Sequence, residues 1–299
     1  MIIPYSTEVE ITRWPFSNLA IMAGCVGVFV LLLGGYVSPS VIEAMILTGW
    51  NPIGLVGHQF VHAGFGHILF NMLFLWVFGN AVCEKVGNGV YGAAFLLAGI
   101  AAAALHNIMD GAPAVGASGA INGIVGLYLV LYPINRITCF FWFFRPGTFD
   151  VSGFWLILFW FVVDAWQAFS GAETGIAYWG HVGGFVLGVG LGFLFLATGV
   201  ARMASYDNPT LLDYLSKRKT RGASVTERGS AARPGALAGV AERIVPRPAP
   251  RRDVVPFAAQ PYLNVDCPHC LQNLDVPTSM IGHTFACASC GKEIELQEE

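Results

Sequence analysis

The sequence predicts an all-α polytopic membrane protein: a bundle of six transmembrane helices followed by a small metal-stapled domain. Three observations predict it. Of 299 residues, 55% are hydrophobic and only 12% are charged, with a mean hydropathy of +0.60, whereas soluble domains carry roughly 25% charged residues. Apolar segments recur along the first two thirds of the chain, each close to the roughly 20 residues that cross a bilayer. The cations are gathered behind them, since 11 of the 16 Lys and Arg lie between Arg202 and Arg252. The net charge of −3 therefore averages two unlike regions.

Residues 1–17 are mixed, with Arg13, Trp14 and Pro15, and read as an interfacial lead-in. The six apolar segments occupy 18–37, 66–83, 90–108, 118–133, 153–169 and 178–198, within a core of 18–200. The first is too long for a signal-peptide core and lacks a small-x-small cleavage site, so it reads as a retained span. At roughly 16 residues the fourth is short, about 24 Å of helix, so loop 109–117 is expected to dip into the membrane to meet it. Such irregular backbone needs protein or a water-filled cavity around it. Loop 38–65 is long and apolar but broken by Pro39, Pro52 and several glycines. It reads as short amphipathic pieces in the interface, with Trp50 at headgroup depth.

Charge placement sets an expected orientation. Arg13, Lys85, Arg136, Arg145 and the whole chain after Ala201 fall on one side, while loops 38–65, 109–117 and 170–177 hold no Lys or Arg. The positive-inside rule then makes both termini cytoplasmic, in a bacterial inner membrane, and turns Ser118 toward the opposite side.

Residues 201–262 read as a basic, Pro- and Ala-rich linker, opening with a juxtamembrane helix over 206–222 that carries Leu211, Leu212 and Leu215. Anionic lipid accounts for its charges, and the scarcity of aromatic residues argues against nucleic acid. Over 263–299, Cys267-Pro268-His269-Cys270 and Cys287-Ala288-Ser289-Cys290 are separated by sixteen residues. Two Cys-x-x-Cys knuckles at that spacing match a tetrahedral structural zinc site in a zinc ribbon. Disulfides are the alternative, but a cytoplasmic tail is reducing. Four thiolates leave no open coordination position, which points to a structural role with a cytoplasmic protein partner rather than to catalysis.

Four polar features inside the spans need explaining: Ser118, His181, the pair His67 and Asn71, and Glu84-Lys85. Glycines four apart let two helices approach closely. The fourth segment has Gly119 and Gly123, and the sixth has Gly184 and Gly188. If these stripes face each other, Ser118 and His181 share one end of the contact. A serine hydroxyl needs an adjacent base before it becomes a nucleophile, and neutral imidazole suits that task. His67 and Asn71, four apart, share a helix face and could stabilise an oxyanion together with the Ser118 N–H. Packing for Ser118 and interhelical glue for His67 and Asn71 are the bland alternatives. Asp164 lies toward the outer end of the fifth segment at an unknown distance from His181, so a Ser-His dyad is the simplest chemistry.

Together, Gly116-Ala117-Ser118-Gly119-Ala120, His67-Ile68-Leu69-Phe70-Asn71-Met72 and His181-x-x-Gly184-x-x-x-Gly188 resemble the three signature motifs of rhomboid intramembrane serine proteases, in that family's order. The resemblance spans 18–200. It implies Ser118 as nucleophile, His181 as general base and acid, His67 and Asn71 as oxyanion stabilisers, and Glu84 as a structural acid below the second span. No cofactor is implied for catalysis. The reaction implied is hydrolysis of peptide bonds in transmembrane helices of other proteins, with small or helix-breaking residues favoured near the cut. Asn51 follows Trp50 where many members carry Arg, and Asn122 stands where some bacterial members place Tyr.

Two further readings belong to other classes. One is a catalytically inactive membrane protein that binds client transmembrane helices on the same scaffold. The other is a metal-handling protein, prompted by His58, His62, His67 and His106. His58 and His62 would chelate from one helix face, although the Glu of a His-Glu-x-x-His metalloprotease is absent.

Overall fold

A computed structural model describes residues 2–142, 146–171, 174–204, 207–220, 262–266, 273–277, 284–286 and 293–295. Contacts divide the chain into two units, Met1–Ser224 and Val225–Glu299.

Among the described residues of the first unit, five helices are long and apolar enough to cross a membrane: α1 (Phe16–Leu33), α2 (Phe65–Val86), α3 (Asn88–Met109), α5 (Gly153–Ser170) and α6 (Tyr178–Ala197). Between them lies α4 (Ser118–Leu131), apolar but only 14 residues long. Its rise of about 21 Å falls short of the roughly 30 Å hydrocarbon layer. Of the six expected segments, five are helices long enough to cross, and the fourth, expected to be short, is the short helix α4. Every residue of α4 is buried except Ser118 and Asn122.

Small residues put α4 at the centre. A Cβ added at Gly184 would land on the Gly119 carbonyl oxygen, and one at Gly188 on that of Gly123. Ala102 and Ala98 of α3 close on Gly119 and Gly123 from another side. Three backbones therefore meet where side chains are a methyl group or less, the close approach that small residues permit in a membrane.

The expectation of an all-α core is also corrected. The lead-in and loop 134–152 build a three-stranded antiparallel sheet, β1 (Ile2–Thr7), β2 (Arg136–Trp142) and β3 (Pro146–Ser152), with β2 in the middle. Ile137 and Cys139 of β2 are fully buried on its inner face, two apart as a strand requires. Glu84 ties the lead-in to α2: it accepts from the Thr12 N–H (3.1 Å), the Thr12 hydroxyl (2.6 Å) and the Arg13 N–H (2.9 Å).

A buried polar knot joins α1, α2 and α3. The Asn18 amide donates to the Leu75 carbonyl and to Asn80 Oδ1, each at 2.8 Å, and accepts from the Tyr91 hydroxyl at 2.6 Å. At this point α2 widens into a π-turn, Leu75–Gly79, and Asn18 satisfies one of its carbonyls, as backbone in hydrocarbon requires.

Loop 38–65 forms short pieces, Pro39–Met45, Pro52–Gly57 and the turn His58–Phe60, with Trp50 exposed. Asn51 caps the second piece through the Ile53 N–H (3.1 Å) and donates to the Ala44 carbonyl (3.1 Å). Beyond α6 the chain stays on the core: Ala201 and Met203 pack against it, Asp207 pairs with Lys85, and the helix Leu211–Thr220 follows.

In the second unit, β4 (Tyr262–Asp266) pairs with β5 (Asn273–Pro277), and β6 (Thr284–Ala286) with β7 (Glu293–Glu295), both antiparallel. Cys267, Cys270, Cys287 and Cys290 lie outside the described residues, as does the linker expected over 223–262 but for Tyr262.

Candidate active site

Ser118 is the first residue of α4, where N–H groups of the opening turn have no helical partner. The loop before it is tied from three sides. Leu47 and Ala114 exchange backbone hydrogen bonds (3.0 and 3.1 Å), the Gly116 N–H donates to the His58 carbonyl (2.8 Å), and His106 Nε2 meets the Ala112 carbonyl (2.8 Å). Gly116 and Ala117 are thereby buried at the entry to α4, while residues 109–113 stay exposed. Gly116 has φ +121°, and a Cβ on it would stand 2.6 Å from the His67 imidazole. Only glycine meets both conditions.

The glycine seam sets the register between α4 and α6 and so brings His181 to Ser118. His181 Nε2 lies 3.0 Å from Ser118 Oγ. The other ring nitrogen, Nδ1, lies 2.9 Å from Asp164 Oδ2 on α5. The sequence puts Asp164 on the fifth segment without fixing its distance from His181. The usable signal was a carboxylate inside an apolar span, where an ionisable group needs a partner.

Asn71 and His67 both converge on Gly116 but line different spaces. Asn71 is buried, and its Nδ2 has no hydrogen-bond partner among the described residues. With Ser118, Asn122, Asp164 and His181 it lines a cavity of about 260 Å³ walled by aromatic residues, among them Phe70 and Trp160. His67 lines a neighbouring space of about 710 Å³ with His106, Asp110, Gln167 and Tyr178. Asn122 donates to the Ser118 carbonyl at 3.1 Å, one turn back, and faces the smaller cavity.

The histidines do not form a chelate. His58 opens a 3₁₀ turn that ends at Phe60, so His62 lies beyond it and the two share no helix face. Each turns Nδ1 to a backbone carbonyl, Gly54 for His58 (2.8 Å) and Phe60 for His62 (3.3 Å). Among the described residues no group of three or more His, Cys, Asp or Glu could hold a metal ion. Burial, and secondarily the neighbouring His67, lowers the pKa of His62 to about 4, and burial lowers that of His58.

Chemically, the arrangement offers a hydroxyl beside an imidazole nitrogen, the Asn71 amide as a donor, and a pocket facing them. The family model described as Rhomboid domain matches residues 49–198. Over 146 residues the chain is 31% identical to Rhomboid protein 1, mitochondrial, of Saccharomyces cerevisiae, which covers 46% of this chain and 40% of that protein. It is 38% identical over 76 residues to Rhomboid protease GluP of Bacillus subtilis, 25% of this chain and 15% of that one. With Rhomboid protease GlpG of Klebsiella pneumoniae it shares 26% identity over 205 residues, 64% and 67% of the two chains. The match thus spans less than half the length of the first two relatives.

Proposed function

The chain belongs to the rhomboid family, and on that premise we propose that it is an intramembrane serine endopeptidase that cleaves transmembrane helices of other proteins. The observation that carries the reading is the 3.0 Å contact between Ser118 Oγ and His181 Nε2 beside an apolar cavity.

In this mechanism His181 Nε2 takes the hydroxyl proton as Ser118 Oγ attacks the scissile carbonyl carbon. The carbonyl electron pair moves to oxygen, and the oxyanion meets the Asn71 amide and the Ser118 N–H, while His67, which lines the neighbouring space, would reach it only by turning past Gly116. The tetrahedral centre collapses, the C–N bond breaks, and His181 gives its proton to the departing amine. Water then attacks the acyl-Ser118 ester by the same path, with His181 again as base, and frees the acid. No cofactor takes part. A substrate helix must unwind locally to present its carbonyl, so small or helix-breaking residues near the cut are favoured.

Both termini lie in the cytoplasm of a bacterial cell in this reading, from the one-sided placement of Lys and Arg. The tail holds structural zinc through Cys267, Cys270, Cys287 and Cys290. Support comes from the flanking strands, because each Cys-x-x-Cys falls in sequence between the paired strands of one hairpin, β4–β5 or β6–β7. When bound, the metal would staple two hairpins too small to hold a core of their own, and a cytoplasmic protein is the partner such a module would present itself to.

Ser118→Ala tests the catalytic reading. Cleavage of a model transmembrane substrate should fall by about 10⁴-fold or more, and fluorophosphonate labelling should vanish with it. Unchanged cleavage would sink the serine-protease reading, and a wild-type protein that neither cleaves nor labels would leave the scaffold as a binder of client helices.

A further inference from the structure

Asp164 is a carboxylate on a membrane-spanning helix, a position costly enough to need a reason. Its partner is His181 Nδ1 at 2.9 Å, on the side of the ring opposite the nitrogen that faces Ser118. A neutral imidazole has one N–H and one lone pair, and which nitrogen carries which is set by its neighbours. An ionised carboxylate only accepts, so it fixes the proton on Nδ1. That leaves the Nε2 lone pair toward the Ser118 hydroxyl, the tautomer a general base requires.

The carboxylate is held in place by contacts on either side. Along the antiparallel contact of α5 with α6, Phe161 stacks on Phe185 (centroids 4.4 Å apart) one turn before it, and Gln167 donates to the Tyr178 hydroxyl (3.4 Å) one turn after it. Phe161, Asp164 and Gln167, three apart, lie on one stripe of α5 and meet Phe185, His181 and Tyr178 in reverse order. Asp164 thus sits on the middle rung of three. Its side chain is 22% exposed and that of His181 is 13% exposed, so the pair is largely but not wholly removed from solvent.

We propose that Asp164 is a positioning residue for His181, making the site a Ser118–His181–Asp164 triad. The proposal rests on the hydrolase reading above and deepens it. Asp164 orients the ring, fixes its tautomer and balances the imidazolium formed when the Ser118 proton arrives. The competing explanation is interhelical glue, in which the same bond merely joins α5 to α6.

The two explanations order a pair of variants oppositely. Asp164→Asn keeps shape and a polar group, but its amide donates to Nδ1 and forces the proton onto Nε2, where it blocks the base. Asp164→Ala loses the contact but leaves Nδ1 to water and the tautomer free. With full-length protein in proteoliposomes and a fluorogenic transmembrane substrate, Asp164→Asn should lose about 100-fold or more in kcat with KM unchanged, more than Asp164→Ala loses. Asp164→Glu should recover part of the loss, and thermal midpoints of folded variants should stay close together. Activity in Asp164→Asn equal to or above that in Asp164→Ala, or losses that track the thermal midpoint, would overturn the proposal. Should Asp164→Asn fail to fold, Asp164→Ala against Asp164→Glu decides: rescue by Glu supports it, and equal activity overturns it. Wild-type protein that resists fluorophosphonate, together with an active Ser118→Ala, would sink the hydrolase reading itself. Normal labelling with an unimpaired Asp164→Asn would sink the triad alone.

Discussion

The two helices beside the site, α4 and α5, are built in opposite ways. In α4 every residue but Ser118 and Asn122 is buried, and the seam to α6 is backbone on backbone. In α5 only Gly153, Leu156, Ile157 and Ala168 are buried, and its inner contacts are rings, such as Trp160 near Phe74 at 5.2 Å. One side of the cavity therefore has no volume to spare, while the other is a wall of side chains that can repack. A nucleophile gains from the first, since its geometry against His181 is inherited from contacts that tolerate no methyl group. An incoming helix gains from the second. Among the described residues, two polar ties join the unyielding side to the wall, Asp164 to His181 and Gln167 to Tyr178, and Asp164 is the one that reaches the site.

The largest effect should come from filling the seam. Gly184→Val sets a branched side chain on the Gly119 carbonyl and should cost about 3 kcal/mol or more, read as a loss of detergent-stable protein. A thermal midpoint near wild type would show that the seam is not the rigid side. Next comes Asn71→Ala. Its Nδ2 has no partner among the described residues, so removing a buried polar group should leave stability unchanged or slightly raised. Loss of an oxyanion donor should still cut kcat by about 10²–10³-fold. A fall in stability together with activity would instead mark Asn71 as glue.

A smaller effect concerns the loop behind Ser118. Folded His62 titrates near 4 because burial opposes its charge, while an unfolded histidine titrates at about 6.5. As pH falls through that window the unfolded chain takes up a proton that the folded one refuses, so stability should drop between about 6.5 and 4. Thermal midpoints across this range, compared with His62→Gln, should show a shallower slope in the variant. An identical slope would free His62 from that role. The smallest change is expected from the wall, where Trp160→Ala should cost less than the roughly 3–5 kcal/mol typical of a fully buried aromatic, because Trp160 is only half-buried. A loss in that full range would erase the contrast between the two sides.

What the sequence determined by itself is what depends on local composition and spacing. Apolar runs located the long helices, because crossing hydrocarbon is a property of a segment and not of its neighbours. Glycines four apart at 119 and 123 and at 184 and 188 announced a close seam, and that seam carries Ser118 to His181. Tertiary structure alone decided the partners. Whether Asp164 meets His181 depends on the rotation of α5, which rings such as Phe161 and Phe185 set and no periodicity records. That His67 and Asn71, on one helix face, line two different cavities depends on where Gly116 passes between helices. Pairing β1 with β2 joins residues 130 or more positions apart, and two short strands carry no sign of each other until the helices between them have folded.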